Sequence, residues 1–104
     1  MSNEPISEQY LRKAHEWADL DNAASLMEES KSSVLSQMIL AEGQIPLNRA
    51  EANVKASERW VKYIKEMVGA RAAANHARVE LEYLRMRHRE WVGEDANNRL
   101  QAKL

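Results

Sequence analysis

The scarcity of helix breakers constrains this chain more than any other feature. Residues 7–41 contain neither glycine nor proline and are rich in alanine, leucine, methionine and glutamate, which favour helix. The strongest interior break is Gly43-Gln44-Ile45-Pro46. With three glycines and two prolines in 104 residues, a turn-rich β fold is not expected. We therefore predict one all-α domain over residues 1–104.

Two long helices with definite ends follow from this pattern. We predict the first helix over about 7–41 with Ser7 as its N-cap, and a break over 42–47. The second helix is predicted over about 48–92, because Asn48 and Glu51 resemble a capping box and Gly93 resembles a C-cap. The polar tail 94–104 has three alternatives: an extension of the second helix, a short helix of its own, or a frayed end.

Apolar side chains recur every seven residues in both predicted helices. This spacing is typical of a coiled-coil-like antiparallel hairpin, in which the recurring residues form the interface. Alanines in the middle of the second helix predict a close approach of the two helix axes. The predicted interface residues are Trp17, Leu20, Met27, Val34, Trp60, Tyr63, Met67, Ala70, Ala74, Ala77, Leu81, Leu84 and Trp91.

A second apolar stripe predicts self-association. It comprises Val54, Val61, Ile64, Val68, Val79, Tyr83 and Met86. A helix hairpin of this size cannot bury two apolar stripes, so the second needs another surface to cover it. We expect a helical-bundle homo-oligomer, with a dimer as the commonest case.

Charge is distributed unevenly along the chain. Residues 1–45 carry three basic and eight acidic side chains, whereas residues 46–104 carry twelve basic and eight acidic ones. Two readings are open: the acidic helix pairs with the basic helix, or part of the basic face stays free for a polyanion. The pairing of the helices is the favoured reading.

A strip of basic residues in the second half of the chain is where these two readings differ. Arg71, Arg78 and Arg85 are spaced by seven, which puts them on one helix face, and Arg87 and Arg89 follow closely. One interpretation is a nucleic-acid contact made by these five arginines. The favoured alternative is a set of interhelical salt bridges to Glu16, Asp19, Glu28 and Glu29.

Catalytic patterns are missing from the sequence. The chain has no cysteine, Walker loop or Gly-x-Ser-x-Gly elbow. His15 with Asp19, and His76 with Glu80, are spaced for a shared helix face, but no further ligand has motif spacing. We therefore predict no catalytic residue, no metal, no cofactor and no enzyme activity. No apolar run approaches the ~20 residues of a membrane span, and we expect a cytoplasmic protein without membrane contact.

The residues from Arg49 to Trp91 carry a resemblance to a group of phage proteins. They read Arg-Ala-Glu-x-x-Val-Lys-Ala-Ser-x-x-Trp over 49–60, then Ala-Arg at 70–71, Ala-Asn at 74–75 and Glu-Tyr-Leu-Arg-Met-Arg over 82–87. This resembles small helical proteins of tailed phages and prophages, encoded near genes for recombination and single-strand annealing.

The resemblance implies an accessory or adaptor role in phage DNA recombination or replication, within the host cytoplasm. The expected mechanism is contact with a protein partner through helices, and a weak contact with single-stranded DNA is left open. The alternative is an inhibitor of a host nuclease or defence enzyme, whose acidic first helix occupies a basic nucleic-acid groove.

Overall fold

The computed structural model describes residues 4–103, which form three α-helices and contain no strand. Helix α1 spans Ile6–Ala41, α2 spans Leu47–Lys55 and α3 spans Glu58–Ala102. The molecule measures 83 × 24 × 16 Å. The predicted all-α class is confirmed, but the chain has three helices where two were predicted.

Helix α1 lies along α3, and the contacts run in opposite order along the two helices. Tyr10 contacts Arg85, Lys13 pairs with Glu80, and Met27 lies farther along α1 opposite Tyr63, which is nearer the start of α3. The two long helices are therefore antiparallel. The short helix α2 packs against α1 and also contacts α3.

Proline and glycine set the two ends of α1. Pro5 occupies the N-cap position, and its carbonyl accepts hydrogen bonds of 3.1 Å from the backbone N–H groups of Glu8 and Gln9. Helix α1 therefore begins at Ile6, and its N-cap lies two residues before the predicted cap Ser7. After α1, Gly43 adopts a φ of 87°, which a side chain would oppose, and this residue turns the chain toward α2.

The predicted helix over 48–92 is interrupted at Ala56 and Ser57. Ser57 has an extended backbone, with φ −72° and ψ 148°, and its hydroxyl accepts a hydrogen bond of 3.2 Å from the Trp60 N–H. The same hydroxyl donates to the Val54 carbonyl over 2.6 Å. One serine thus closes α2 and caps α3. The prediction of one helix was wrong because it relied on glycine and proline as breaks, and serine can also end a helix by hydrogen bonding.

The other predicted helix ends also differ from the structure. Pro46 is the N-cap of α2, so the capping box of Asn48 and Glu51 does not form; Glu51 pairs instead with Lys55 over 2.8 Å. Gly93 does not end α3, which continues to Ala102. A glycine inside a helix costs only about 1 kcal/mol, and no proline follows it. Of the three alternatives for the tail, the structure has the helical extension.

The core is thin for a chain of this length. Its buried residues among 4–103 are Ala24, Ala50, Val54, Trp60, Ala74, Ala77 and Leu81. Four of these seven are alanines, so little apolar volume is enclosed. The radius of gyration is 23.1 Å, against about 13 Å for a compact domain of similar length. Much of the apolar surface of α3 therefore remains in contact with solvent.

Candidate interaction surfaces

The residues predicted for the helix interface are mostly covered by packing between the helices. Trp60, Ala74, Ala77 and Leu81 are buried, and the half-buried members are Trp17, Leu20, Met27, Val34, Tyr63, Met67, Ala70 and Leu84. Trp91 differs from the rest, because 55% of its surface is exposed. It lies where α1 begins, so only the first residues of α1 can cover it.

An aromatic pair anchors α3 to α1. The Tyr63 hydroxyl donates a hydrogen bond of 2.6 Å to the backbone carbonyl of Met27. The Trp60 and Tyr63 rings stack with centroids 5.7 Å apart and an interplanar angle of 13°. Because the hydroxyl bonds to a carbonyl inside α1, it fixes the position of one helix along the other.

Arg71 links α3 to two acidic residues of α1. Its guanidinium donates to Glu28 through Nε over 3.0 Å and through Nη2 over 2.8 Å, and to Asp21 through Nη1 over 2.6 Å. Nη2 also lies 3.2 Å from the Ser25 hydroxyl. Asp21, Ser25 and Glu28 are spaced by four and three, so they share one face of α1. We call these four residues the Arg71 cluster.

The Arg71 cluster shifts the pKa values of its members. Hydrogen bonding from the guanidinium lowers the pKa of Glu28 below its ordinary value of 4.5. The hydrogen bonds to Glu28 and then Asp21 raise the pKa of Arg71 above its ordinary value. Each charge therefore stabilises the other, and Arg71 is engaged within the chain. This geometry matches the interhelical alternative for Arg71, and its second carboxylate partner is Asp21, which was not among the predicted partners.

A second ion-pair group joins the helices nearer the start of α1. Lys13 Nζ lies 2.8 Å from Glu16 within α1 and 2.6 Å from Glu80 of α3. The hydrogen bonds that Lys13 donates to Glu16 and Glu80 raise the pKa of Lys13, and the bond to Glu80 lowers the pKa of that carboxyl group. Glu16 was a predicted partner of the arginine strip, but the structure pairs it with Lys13.

Among the remaining arginines of the strip, Arg87 lies on a different face of α3 from Arg78, Arg85 and Arg89. Arg78 and Arg89 are exposed, and within residues 4–103 their side chains make no ion pair. Arg85 lies 3.5 Å from the Tyr10 hydroxyl. Arg87 points elsewhere, because residues two apart do not share a helix face, and its guanidinium is 6.0 Å from the Tyr83 ring centroid. The basic patch that stays open to solvent is therefore Arg78, Arg85 and Arg89.

A small cavity lies between the start of α1 and the last third of α3. It encloses about 160 Å³ and is lined by Pro5, Ile6, Ser7, His88 and Trp91. The His88 ring stacks on Trp91 with centroids 6.1 Å apart, and its buried Nδ1 finds no partner within residues 4–103. Arg85 and Arg89 border the adjoining groove, so the basic patch continues to this end of the molecule.

A line of exposed apolar side chains follows α3 on the side that faces away from α1. It consists of Val61, Val68, Val79 and Met86, which are between 41% and 62% exposed. We call these four residues the α3 apolar line. Residues of α1 lie against the opposite side of α3, where Ala74, Ala77 and Leu81 are buried. The line is part of the second stripe predicted from sequence. Two other members of that stripe are covered within residues 4–103, since Val54 is buried and Ile64 is half-buried.

Comparison with protein-family models, curated proteins and solved structures gave no match to this chain. Among residues 4–103, no three histidine, aspartate or glutamate side chains are grouped so that they could hold a metal ion. None of the helices in that range combines the length and the hydropathy of a membrane span. The surfaces described above are thus the basis for a functional assignment.

Proposed function

We propose that this protein is a non-enzymatic, self-associating adaptor that works through contacts between helices. The observation that carries the proposal is the α3 apolar line, which stays in solvent while α1 occupies the other side of α3. Exposed apolar surface that continues along one helix face is typical of interaction sites. A helix from a partner would cover the line by the same packing that joins α1 to α3.

The thin core supports the same proposal. Only three of the seven buried residues have side chains larger than that of alanine: Val54, Trp60 and Leu81. Small domains with so little buried apolar surface are commonly stabilised by association. A contact along α3 would thus add to the stability of the fold as well as hold a partner.

The process that we propose for this adaptor is phage DNA recombination or replication. It rests on the resemblance of residues 49–91 to phage proteins encoded near recombination genes. The open basic patch of Arg78, Arg85 and Arg89 supports a weak contact with a polyanion. Arg71 does not join that patch, because its donors are directed at Asp21 and Glu28.

Two measurements test this function. Binding of a labelled single-stranded oligonucleotide should weaken as salt increases, and Arg78→Glu together with Arg89→Glu should abolish it. The matched control is Lys62→Glu, which removes a basic residue from another face of α3. Binding that is insensitive to salt, or equally sensitive to the control, would remove the nucleic-acid contact from the proposal.

The adaptor role is tested by affinity capture of the full chain from phage-infected cells. The expected partner is a protein of phage recombination or replication, and Val68→Glu should reduce its recovery because the variant loses the self-association proposed for this adaptor. Recovery of a host nuclease that competing DNA displaces would support an inhibitor instead. An enzymatic turnover by the purified chain would overturn the non-enzymatic assignment.

A further inference from the structure

We infer that the α3 apolar line is the interface between two copies of this chain, with the two α3 helices antiparallel about a twofold axis. The inference deepens the proposed self-association and depends on it. It assigns the occupant of the line, the direction of pairing and the residues that meet.

The spacing of the line is symmetric. From Val61 to Met86 the four residues are separated by 7, 11 and 7 positions. An antiparallel pairing centred between Ala73 and Ala74 therefore sets Val61 opposite Met86 of the second copy, and Val68 opposite Val79 of the second copy. A twofold interface requires such self-complementarity, because each contact must occur twice.

The same spacing keeps the line straight along the helix. At about 100° per residue, steps of 7 and 11 residues turn by about −20° and +20° relative to whole turns. The four side chains of the line thus lie within about 20° of one another over some 37 Å of helix. A straight stripe of this length can contact a second straight helix from end to end.

The residues at the centre of the proposed pairing allow the two α3 helices to approach closely. Ala72 and Asn75 are both exposed and lie symmetrically about the same midpoint. Alanine allows helix axes to approach, and Asn75 comes beside Asn75 of the second copy, where two amides can hydrogen-bond. A single asparagine inside an apolar helix interface is a known means of fixing its register.

The chain exposes more surface than a compact monomer of its mass would. The chain exposes 8226 Å², against about 6,000 Å² for a compact monomer of 12.0 kDa. The excess of about 2,200 Å² exceeds the ~800 Å² that each partner buries in a standard interface. The chain therefore exposes enough surface to supply one half of a standard dimer interface.

Charge favours a second copy over a nucleic acid in this position. The four residues of the line carry no charge, and the flanking Lys65 and Glu82 have opposite signs. A polyanion would contact the separate patch of Arg78, Arg85 and Arg89 instead. A second copy presents an apolar side chain opposite each of the four residues of the line.

Sedimentation equilibrium of the full chain tests the inference directly. We expect a dimer at micromolar concentration, and Val68→Glu should raise the dimer Kd by about 100-fold, since the twofold axis repeats the lost apolar contact. The matched control is Leu26→Glu, an apolar position of α1 that is 65% exposed, and its dimer should persist. Circular dichroism shows whether each variant keeps its helix content.

Disulfide trapping tests the direction of pairing, because the natural chain has no cysteine. Mixing the Val68→Cys and Val79→Cys chains should give a crosslinked heterodimer. Each variant alone should crosslink poorly, since an antiparallel pair separates its two copies of the position by some 16 Å along the helix. Crosslinking of Val68→Cys with itself would indicate parallel helices and overturn the inference.

The outcomes separate this inference from the proposed function. A monomer that still captures a phage protein through Val68 would overturn the twofold pairing and keep the adaptor. A dimer that Val68→Glu leaves intact would overturn the assignment of the α3 apolar line. A dimer disrupted by Val68→Glu but without any protein or DNA partner would support the interface and contradict the adaptor function.

Discussion

Arg71 of α3 and Glu28 of α1 form a two-point ion pair, with Nε 3.0 Å from Oε2 and Nη2 2.8 Å from Oε1. Planar pairing of this kind fixes the orientation of both side chains. The other edge of the guanidinium donates to Asp21 over 2.6 Å. Arg71 therefore holds α1 at a defined position along α3, although its spacing with Arg78 and Arg85 resembles that of a nucleic-acid contact.

The first prediction concerns this cluster. Arg71→Ala should lower the melting temperature more than Arg78→Ala, because within residues 4–103 Arg71 has carboxylate partners on α1 and Arg78 has none. Thermal unfolding followed by circular dichroism at low salt measures the difference, which should shrink as salt screens the pairs. Arg71→Lys should restore only part of it, since an ammonium cannot make the two-point contact. Equal effects of Arg71→Ala and Arg78→Ala would contradict a clamping role.

The second prediction is a loss of stability in acid. The folded pKa values of Glu28 and Glu80 are lowered by Arg71 and Lys13, respectively, below the ordinary value of 4.5. The stability that these carboxylates contribute is therefore fully present above pH 4.5 and is lost as pH falls through the lowered pKa values. Urea unfolding at a series of pH values measures this slope.

A double variant identifies the groups responsible for the acid slope. Glu28→Gln with Glu80→Gln should be less stable at neutral pH and should lose less stability on acidification than the natural chain. Glu29→Gln is the matched control, because Glu29 is exposed and makes no ion pair within residues 4–103. An acid slope that the double variant leaves unchanged would show that other carboxylates cause it.

At alkaline pH the stability is expected to fall as pH rises, which is the opposite of its dependence in acid. Hydrogen bonds to Glu16 and Glu80 raise the pKa of Lys13 above 10.5, so its contribution is complete below pH 10.5 and is lost as pH rises through the higher folded value. Lys13→Met should remove this part of the alkaline loss. If the alkaline slope of the variant equals that of the natural chain, Lys13 is not its source.

The helical class could be predicted from the sequence, because long stretches without helix breakers and apolar residues spaced by seven are both typical of helices. The break at Ser57 was not predicted, because a serine in the sequence does not show whether it lies inside a helix or caps one. Only the hydrogen bonds of its hydroxyl distinguish the two positions. Asp21 was not predicted as a partner either, since the carboxylate that an arginine reaches depends on the register of α1 against α3. Heptad spacing alone does not fix that register.

Ser57 itself gives the third prediction. Ser57→Ala should cost about 1 kcal/mol of unfolding free energy, since the Trp60 N–H loses its cap and the Val54 carbonyl loses a donor. Ser33→Ala is a suitable control, because Ser33 is exposed and lies inside α1, away from both helix ends. Chemical denaturation measures both. If Ser57→Ala kept the stability of the natural chain, the Ser57 hydroxyl would not contribute to the connection between α2 and α3.

The fourth prediction concerns the packing of α1 against α3 at their buried alanines. Ala24 and Ala74 are completely buried, one on each helix, so neither position has room for a larger side chain. Ala74→Leu should destabilise the fold by roughly 1–3 kcal/mol through overpacking. Ala73→Leu places the same side chain at an exposed neighbouring position and should change stability little. Equal stability of the two variants would mean that α1 and α3 can separate at Ala74 without cost.

The final prediction concerns Tyr63, whose hydroxyl bonds to the Met27 carbonyl over 2.6 Å. Tyr63→Phe keeps the ring stacked beside Trp60 and removes only the donor, so it should cost about 1 kcal/mol. The control is Tyr83→Phe, since the Tyr83 hydroxyl accepts from Arg87 on the exposed side of α3 and links no two helices. Hydrogen exchange at the backbone amides of α1 around Met27 should accelerate in Tyr63→Phe and stay unchanged in Tyr83→Phe. Unaltered exchange in both variants would show that the hydroxyl does not fix the register of α1 against α3.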